Sequence, residues 1–163
     1  MKAPDTVEDP EVTSTVLKDL ETSKKRLLSQ YFQLNFFFQD PYAGFDRSKV
    51  KGKVFMLFKI KERVHEKALE IGAGGRLFNI VVENEVISKQ LIERESFGRN
   101  VTIIPNNKIR YKPINDHAIE NANRIAQQMG GLARPAYELI NYSKDIENSI
   151  KYVFSNFMVC STS

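Results

Sequence analysis

The sequence predicts a mixed α/β fold of two small, related halves with mixed sheets, preceded by a short helix. Two observations carry this prediction: β-branched segments alternate with helical ones, and the order strand, helix, strand occurs twice. At 163 residues, 42% hydrophobic and 27% charged, the chain suits one domain or two small halves. The composition argues against a collagenous, membrane-embedded or wholly disordered chain.

The first third is expected to be a lead, a helix and an extended segment. Residues 1–12, with two prolines and four acids, predict a disordered lead. Over residues 13–33 apolar side chains keep close to a 3,4 spacing without Pro or Gly, which predicts a helix but is too short to establish a coiled coil. From Leu34 the apolar period becomes two, and Asp40-Pro41 ends the run as a turn. A core helix followed by an apolar linker fits the same pattern.

Residues 49–61 are predicted to form one strand with an apolar face and a mostly cationic face, because side chains alternate with period two. Regularly spaced ammonium groups neutralise phosphates, and Phe55 beside them offers a stacking surface. Lysines also discourage unwanted edge pairing on solvent-facing strands, so both interpretations stay open. The candidate nucleic-acid-binding residues are Lys49, Lys51, Lys53, Lys59, Lys61 and Arg63.

The first strand, helix, strand unit is expected between Leu77 and Ile104. A helix over residues 62–71, closed by Gly72, precedes it. Residues 77–83 are apolar and β-branched as in a buried strand, Asn84 is a candidate N-cap, and residues 100–104 form the second strand. The sixteen residues between Glu83 and Asn100 are enough for a right-handed β-α-β crossover.

The second unit repeats this order. A helix with an apolar stripe between Ala118 and Met129 ends at Gly130-Gly131. A strand over residues 137–142, a helix capped by Ser143 and a strand over residues 157–160 follow. The repetition predicts a first half over residues 34–114 and a second half over residues 115–163. Convergence on the same order of elements remains the alternative.

Known catalytic motifs are not recognisable in the sequence. The segment Gly72-Ala73-Gly74-Gly75-Arg76 lacks the Lys-Ser/Thr pair of a phosphate-binding loop, and it is expected to follow a helix rather than begin one. A helix C-cap or a close backbone approach is the preferred interpretation. His65 and His117 fall on polar helix positions. We therefore expect no enzyme activity, no metal site and no cofactor in this chain.

Two further features bear on the environment and the partners. The single cysteine, Cys160, excludes an internal disulfide and favours a reducing, intracellular compartment. No signal peptide or membrane span is expected. Residues 41–114 hold fifteen basic and eight acidic side chains, whereas the segments before and after them are slightly acidic. This distribution indicates a local anionic partner.

Four segments in this order resemble one family: FDRSKVKG from Phe45, ALEIGAGGRLFNIVVENE from Ala68, VTIIPNNKI from Val101 and YVFSNFMVC from Tyr152. Together they are similar to the hinge domain of structural maintenance of chromosomes (SMC) proteins, most of all the second SMC subunit of eukaryotic condensin. The resemblance spans residues 31–163. Only the glycine-containing and VTIIP segments are distinctive alone.

The resemblance implies a dimerisation domain of two pseudo-related α/β halves at the end of a long antiparallel coiled coil. Residues 13–33 would end the incoming helix, and the outgoing helix would start after Ser163. The partner would be the hinge of a second SMC subunit, with a homodimer possible in isolation. Glycines allow two backbones to approach closely. The implied dimer-interface residues are therefore Gly72, Gly74, Gly75 and Arg76.

The resemblance also implies a setting: the nucleus and the chromosome, chromosome condensation in the cell cycle, and secondary DNA binding. ATP and magnesium would bind at ATPase heads outside this chain. A free-standing nucleic-acid-binding α/β domain is the alternative function.

Departures from the family pattern accompany the match. Residues 97–100 are less basic than usual before VTIIP, which weakens the expectation of a DNA contact there. Asn106 replaces a leucine and Ser155 a glycine, so the second-half interface is expected to pack differently. Residues 130–135 form an unusual connector.

Overall fold

The computed structural model describes residues 10–31, 34–98 and 100–161, with side chains from residue 14 onward. The chain divides into two units, Met1–Phe36 and Phe37–Ser163. The first unit contains helix α1, Pro10–Gln30, which begins three residues before the predicted start. A proline at the first helical position needs no hydrogen-bond partner for its nitrogen, so Pro10 is compatible with this start. The rest of the predicted disordered lead, residues 1–9, lies outside the described residues.

The second unit contains four helices and seven short strands in its described part. Its helices are α2 (Glu66–Ala73), α3 (Glu85–Glu93), α4 (Asp116–Gln128) and α5 (Glu147–Phe154). Its strands are β1 (Val50–Lys53), β2 (Phe58–Ile60), β3 (Ile80–Val82), β4 (Ile103–Pro105), β5 (Leu132–Pro135), β6 (Ile140–Tyr142) and β7 (Met158–Ser161). No helix among the described residues has the length and apolar character needed to cross a membrane.

A three-stranded mixed sheet has the order β1-β3-β4, with β1 antiparallel and β4 parallel to β3. Helix α3 connects the two parallel strands, so the predicted β-α-β unit is confirmed. The side-chain oxygen of Asn84 accepts hydrogen bonds from the amides of Val86 and Ile87, at 3.1 and 3.0 Å. Asn84 is therefore the N-cap of α3, as expected from its position.

The prediction of one continuous strand over residues 49–61 is wrong. A 3-10 turn, Val54–Met56, separates β1 from β2. Val54 is fully buried and donates its amide to the carbonyl of Asn79. Because the chain turns inward there, β1 joins β3 whereas β2 pairs with β6 in another sheet. The side chains predicted to form one mostly cationic face over residues 49–61 are therefore divided between two sheets and the turn between them.

The second strand, helix, strand unit has the predicted order but a different pairing. Strand β6 pairs antiparallel with β2, and β7 pairs antiparallel with β5, so the two strands that flank α5 lie in separate sheets. Strand β5 occupies most of the segment that the sequence suggested was a connector. The hydroxyl of Ser143 makes no capping bond, and a 3-10 turn, Lys144–Ile146, precedes α5 instead.

One hydrophobic core joins residues from both predicted halves. Its fully buried members include Val54 and Val81 from the first half and Ala136, Ile150 and Phe154 from the second. The apolar stripe on α4 contributes less to the hydrophobic core than its spacing indicates. Ala126 is buried, but Ile125 and Met129 are 50% and 71% exposed, because α4 turns only one edge of the stripe inward.

Candidate glycine loop and basic surface

The glycine segment forms the end of α2 and the 3-10 turn that follows it. The helix continues through Gly72 to Ala73, two residues beyond the predicted end at Ile71, and Gly74 is its C-cap with φ +54° and ψ −136°. Only glycine adopts this backbone conformation without strain. The turn Gly74–Phe78 then leads towards β3. The preferred sequence interpretation, a helix C-cap, is therefore confirmed for Gly74.

Gly72 faces the interior of its own chain. A Cβ atom built on Gly72 would overlap the ring of Phe157, closer than two non-bonded carbon atoms can approach. The absence of a side chain at this position is explained by the aromatic ring beside it. The resemblance implied an interface role for Gly72, and the contact with Phe157, far along the chain, was not predicted.

Arg76 joins the glycine segment to the turn that follows α5. Its guanidinium group donates to the carbonyl oxygens of Gly72 and Ala73, at 3.1 and 3.4 Å, and to the side-chain oxygen of Asn156, at 3.5 Å. Carbonyl groups at a helix C-terminus lack intrahelical partners, so this cation satisfies two of them. The segment around residue 75 and the turn at residues 155–156 are thus joined within the chain.

Gly74 and Gly75 lie at the surface, with open space around both positions where a Cβ atom would project. Ile71 lies just before them in the chain, in the last turn of α2. Ile71 is 69% exposed, and Phe78 at the end of the turn is also exposed. We call Ile71, Gly74, Gly75 and Phe78 the loop face: four exposed positions at the end of α2 and in the turn that follows it.

In the described part of the chain, every strand except β3 pairs on one side only. Strand β4 pairs with β3 on one side only, and β7 pairs with β5 on one side only. Open edges present amide and carbonyl groups that pair readily with another strand. Both edges therefore have the chemistry needed for pairing with a further strand.

The six predicted nucleic-acid-binding residues are distributed over several elements. Lys49 ends the 3-10 turn Arg47–Lys49, Lys51 and Lys53 lie on β1, and Lys59 lies on β2. Lys61 and Arg63 follow β2. The side chains of Lys59, Lys61 and Arg63 are exposed, and those of Lys49 and Lys51 are half-buried.

Burial and pairing with acceptor groups reduce the number of these cations that are available to bind phosphate. Lys53 is only 5% exposed, so its ammonium group does not extend from the surface. The ammonium group of Lys51 lies 3.8 Å from a carboxylate oxygen of Asp145. Lys61 donates to the carbonyl of Glu138 at 2.7 Å. Lys49, Lys59 and Arg63 have no ion-pair partner among the described residues.

Asp46 is the acidic neighbour of this surface. The hydroxyl and amide of Ser48 both donate to its carboxylate, at 2.6 and 3.0 Å, and these bonds hold the pKa of Asp46 below its ordinary value. Lys49 and Lys51 lower it further. Asp46 is therefore ionised at neutral pH and reduces the local positive potential. Within the described residues, no group of three His, Cys, Asp or Glu side chains is arranged to hold a metal ion.

Residues 47–163 match the family described as SMC proteins Flexible Hinge Domain. The chain is similar to structural maintenance of chromosomes protein 2-2 of Arabidopsis thaliana, with 39% identity over 143 residues, 88% of this chain and 12% of that protein. It is similar to the corresponding protein 2 of Schizosaccharomyces pombe, with 39% identity, and of Homo sapiens, with 35%, over 90% and 86% of this chain. The chain spans about an eighth of the length of these relatives, 12% in each case.

The fold is similar to solved hinge structures. The Pyrococcus furiosus SMC protein hinge domain gives a TM-score of 0.51 at 27% identity, covering 66% of this chain and 53% of that one. The Pyrococcus furiosus hinge with an extended coiled coil gives 0.57 at 25% identity, covering 88% and 50%. An asymmetric dimer of the Geobacillus stearothermophilus hinge gives 0.58 at 22% identity, covering 71% and 44%, and this last likeness concerns the fold alone.

Proposed function

The chain belongs to the family of SMC protein flexible hinge domains, and from this premise we propose that it is the dimerisation hinge of a condensin-type SMC protein. Its partner is the hinge of a second SMC subunit, and the pair contributes to chromosome condensation in the nucleus. The three relatives described above, with 35–39% identity, are named as protein 2 or 2-2 of the SMC group, which supports the condensin assignment. ATP hydrolysis belongs to regions of the parent protein outside this chain.

The single observation that carries the proposal is the combination of the family match with open strand edges such as those of β4 and β7. Pairing β4 or β7 with a strand of a partner would satisfy backbone groups that have no strand partner in the described chain. The loop face supports the same role. Its two exposed glycines allow a close approach of backbones, and Ile71 and Phe78 supply apolar area to bury.

Helix α1 supports the connection to a coiled coil. Its apolar side chains Val16, Leu17, Leu20 and Leu27 are between 45% and 61% exposed. Helices of 21 residues with an exposed apolar stripe gain stability mainly by packing that stripe against a partner. A second helix laid against α1 would provide this packing, as the end of a coiled coil does.

DNA binding is the secondary part of the proposal. Lys49, Lys59, Lys61 and Arg63 remain the best placed of the predicted cations, because they are at least partly exposed. Lys51 shares its charge with Asp145, and the burial of Lys53 weighs against a direct contact by that residue. The contact would be with phosphates and would depend strongly on salt.

Sedimentation of the chain, alone and mixed with the hinge of another SMC subunit, tests dimerisation. The informative variant is Gly75→Glu, because the position has open space and no left-handed backbone, so the monomer accommodates a side chain. Ala43→Glu adds the same charge at another exposed position. We expect the wild type and Ala43→Glu to associate with the partner hinge, and Gly75→Glu to stay monomeric with an unchanged melting temperature. Wild-type protein that remains monomeric in the mixture contradicts the hinge function. Association by Gly75→Glu contradicts only the role of the loop face.

A further inference from the structure

A stretch of twenty residues without any carboxylate side chain runs from Ser96 to Asn115. Four basic residues lie in it, and three of these fall within five positions: Lys108, Arg110 and Lys112. These three are not among the cations that the sequence pattern assigned to nucleic-acid binding. We call residues 108–112 the basic strip.

The side chains of the basic strip alternate between solvent and protein. Lys108, Arg110 and Lys112 are exposed, whereas Ile109 and Tyr111 between them are partly buried. Ile109 packs against the hydrophobic core. Lys108 ends the turn after β4, and residues 109–112 belong to no helix or strand. The strip therefore presents three cations in a row with no apolar side chain exposed between them.

Both ends of the strip are anchored. The amides of Lys108 and Ile109 donate to the carbonyl of Pro105, at 3.1 and 2.9 Å. At the other end the ammonium group of Lys151, on α5, lies 5.6 Å from the centre of the Tyr111 ring, a cation–π distance. A segment that is ordered before binding loses less conformational entropy when a ligand arrives.

Charge compensation along the strip is incomplete. The ammonium group of Lys108 lies 3.6 Å from a carboxylate oxygen of Glu85, an exposed pair of small energetic value. In the described parts of the chain, Arg110 and Lys112 have no carboxylate within ion-pair distance. The nearest acidic group on α5, Glu147, is already paired with Lys151 at 2.8 Å.

We propose that the basic strip binds the sugar–phosphate backbone of DNA, and that it carries more of the DNA affinity than the lysines around β1 and β2. This inference rests on the DNA-binding part of the proposed function and assigns it to different residues. Three exposed cations close together in the chain, without exposed apolar side chains between them, suit the repeating charge of phosphates. An acidic protein segment would need apolar or hydrogen-bonding contacts between the charges for its own side chains, and the strip directs Ile109 and Tyr111 inward.

The test compares two triple variants that remove the same charge. The strip variant is Lys108→Gln, Arg110→Gln, Lys112→Gln, and the control variant is Lys49→Gln, Lys59→Gln, Arg63→Gln. Binding to a fluorescein-labelled single-stranded DNA of thirty thymidines is measured by anisotropy over a salt series. We expect the strip variant to lose roughly tenfold or more in affinity, and its slope of log affinity against log salt to fall by about 2, because each phosphate contact contributes about 0.7 on single strands. The control variant is expected to lose less on both measures.

Three outcomes would overturn the inference. If the control variant loses DNA affinity and the strip variant does not, the DNA site lies at the lysines around β1 and β2. Wild-type chain that shows no salt-dependent binding removes the DNA site altogether, while sedimentation with the partner hinge still reports on dimerisation. Displacement of the DNA by polyglutamate at equal charge concentration shows that an acidic protein segment is the better ligand. Unchanged thermal unfolding of both variants establishes that the fold is intact.

Discussion

The side-chain oxygen of Asn106 accepts hydrogen bonds from both the amide and the hydroxyl of Ser149, at 3.1 and 2.8 Å. Ser149 is fully buried in the first turn of α5, and no residue before that helix caps it with a side chain. Asn106, in the turn after β4, therefore supplies the cap from 43 residues away. Its amide also donates to the carbonyl of Asp145 at 2.8 Å. The departure from the family pattern at this position has a structural role within the chain.

The neighbouring asparagine serves α3 in the same way. The side-chain oxygen of Asn107 accepts from the amide of Glu85 at 3.2 Å, and its amide group donates to the Glu85 carboxylate. The turn after β4 thus provides polar partners for the first turns of two helices. One turn therefore fixes the position of α5 and α3 together.

Asn106→Ala is expected to destabilise the protein by about 2 to 4 kcal/mol, because it removes a helix cap and leaves the buried hydroxyl and amide of Ser149 without their acceptor. Asn107→Ala, at an exposed position, is expected to cost only about 1 kcal/mol. Urea unfolding of both variants checks the order. Equal losses would mean that the bonds to Ser149 add little to the cap itself.

Gly72→Ala is expected to destabilise the monomer by about 1 to 3 kcal/mol through overpacking, because the ring of Phe157 occupies the place of the new methyl group. Phe157→Leu is the partner variant for a double-mutant cycle. The combined variant should be more stable than the sum of the two losses predicts. Additive losses in thermal unfolding would show that the two side chains do not compete for the same space.

Gly74→Ala and Gly75→Ala should differ although the two positions are adjacent and open. Alanine at residue 74 must adopt a positive φ with extended ψ, at a cost of about 1 to 3 kcal/mol, whereas alanine at residue 75 meets no such constraint. Chemical denaturation of the two variants measures the difference. A Gly74→Ala protein as stable as Gly75→Ala would mean that the loop relaxes to another backbone conformation.

Glu85 is expected to make stability depend on acid pH. The hydrogen bond from Asn107 lowers the pKa of Glu85 in the folded state below its ordinary value of 4.5, with a smaller contribution from Lys108. The resulting stabilisation is fully present above pH 4.5 and is lost as the pH falls through the lower folded-state pKa. NMR titration of the Glu85 carboxyl group in Asn107→Ala should show the pKa returning towards 4.5. An unchanged titration would assign the shift to another neighbour.

Sequence periodicity was sufficient for the elements that form locally. The cap at Asn84, helix α3 and the parallel pair β3 and β4 follow from hydrophobic pattern and connection length. The break in residues 49–61 was not predictable from the same pattern, because alternation continues through Val54 while the backbone turns into the core. Burial of Val54 against residues distant in sequence determines that turn.

In the candidate sites, too, local features could be predicted from the sequence, whereas contacts between distant residues could not. A helix cap at Gly74 could be inferred from local chemistry, since helices often end at glycine. The packing of Phe157 on Gly72 and the bonds from Arg76 to the residue-156 turn join positions about 80 residues apart. Nothing in a single sequence specifies such contacts. The roles predicted for these residues in association and DNA binding stay predictions.

The shared core has a consequence for how the chain can be divided. Strand β2 pairs with β6, and Phe58 packs on Phe154 with ring centres 5.0 Å apart. Either half alone would therefore lack part of its sheet pairing and of its hydrophobic core. Cutting the chain in the irregular stretch between Lys112 and Asn115 should yield two fragments that are each poorly folded yet recombine into one native body. Split in this way, the domain would act as a complementation pair whose reassembly reports when its two pieces meet.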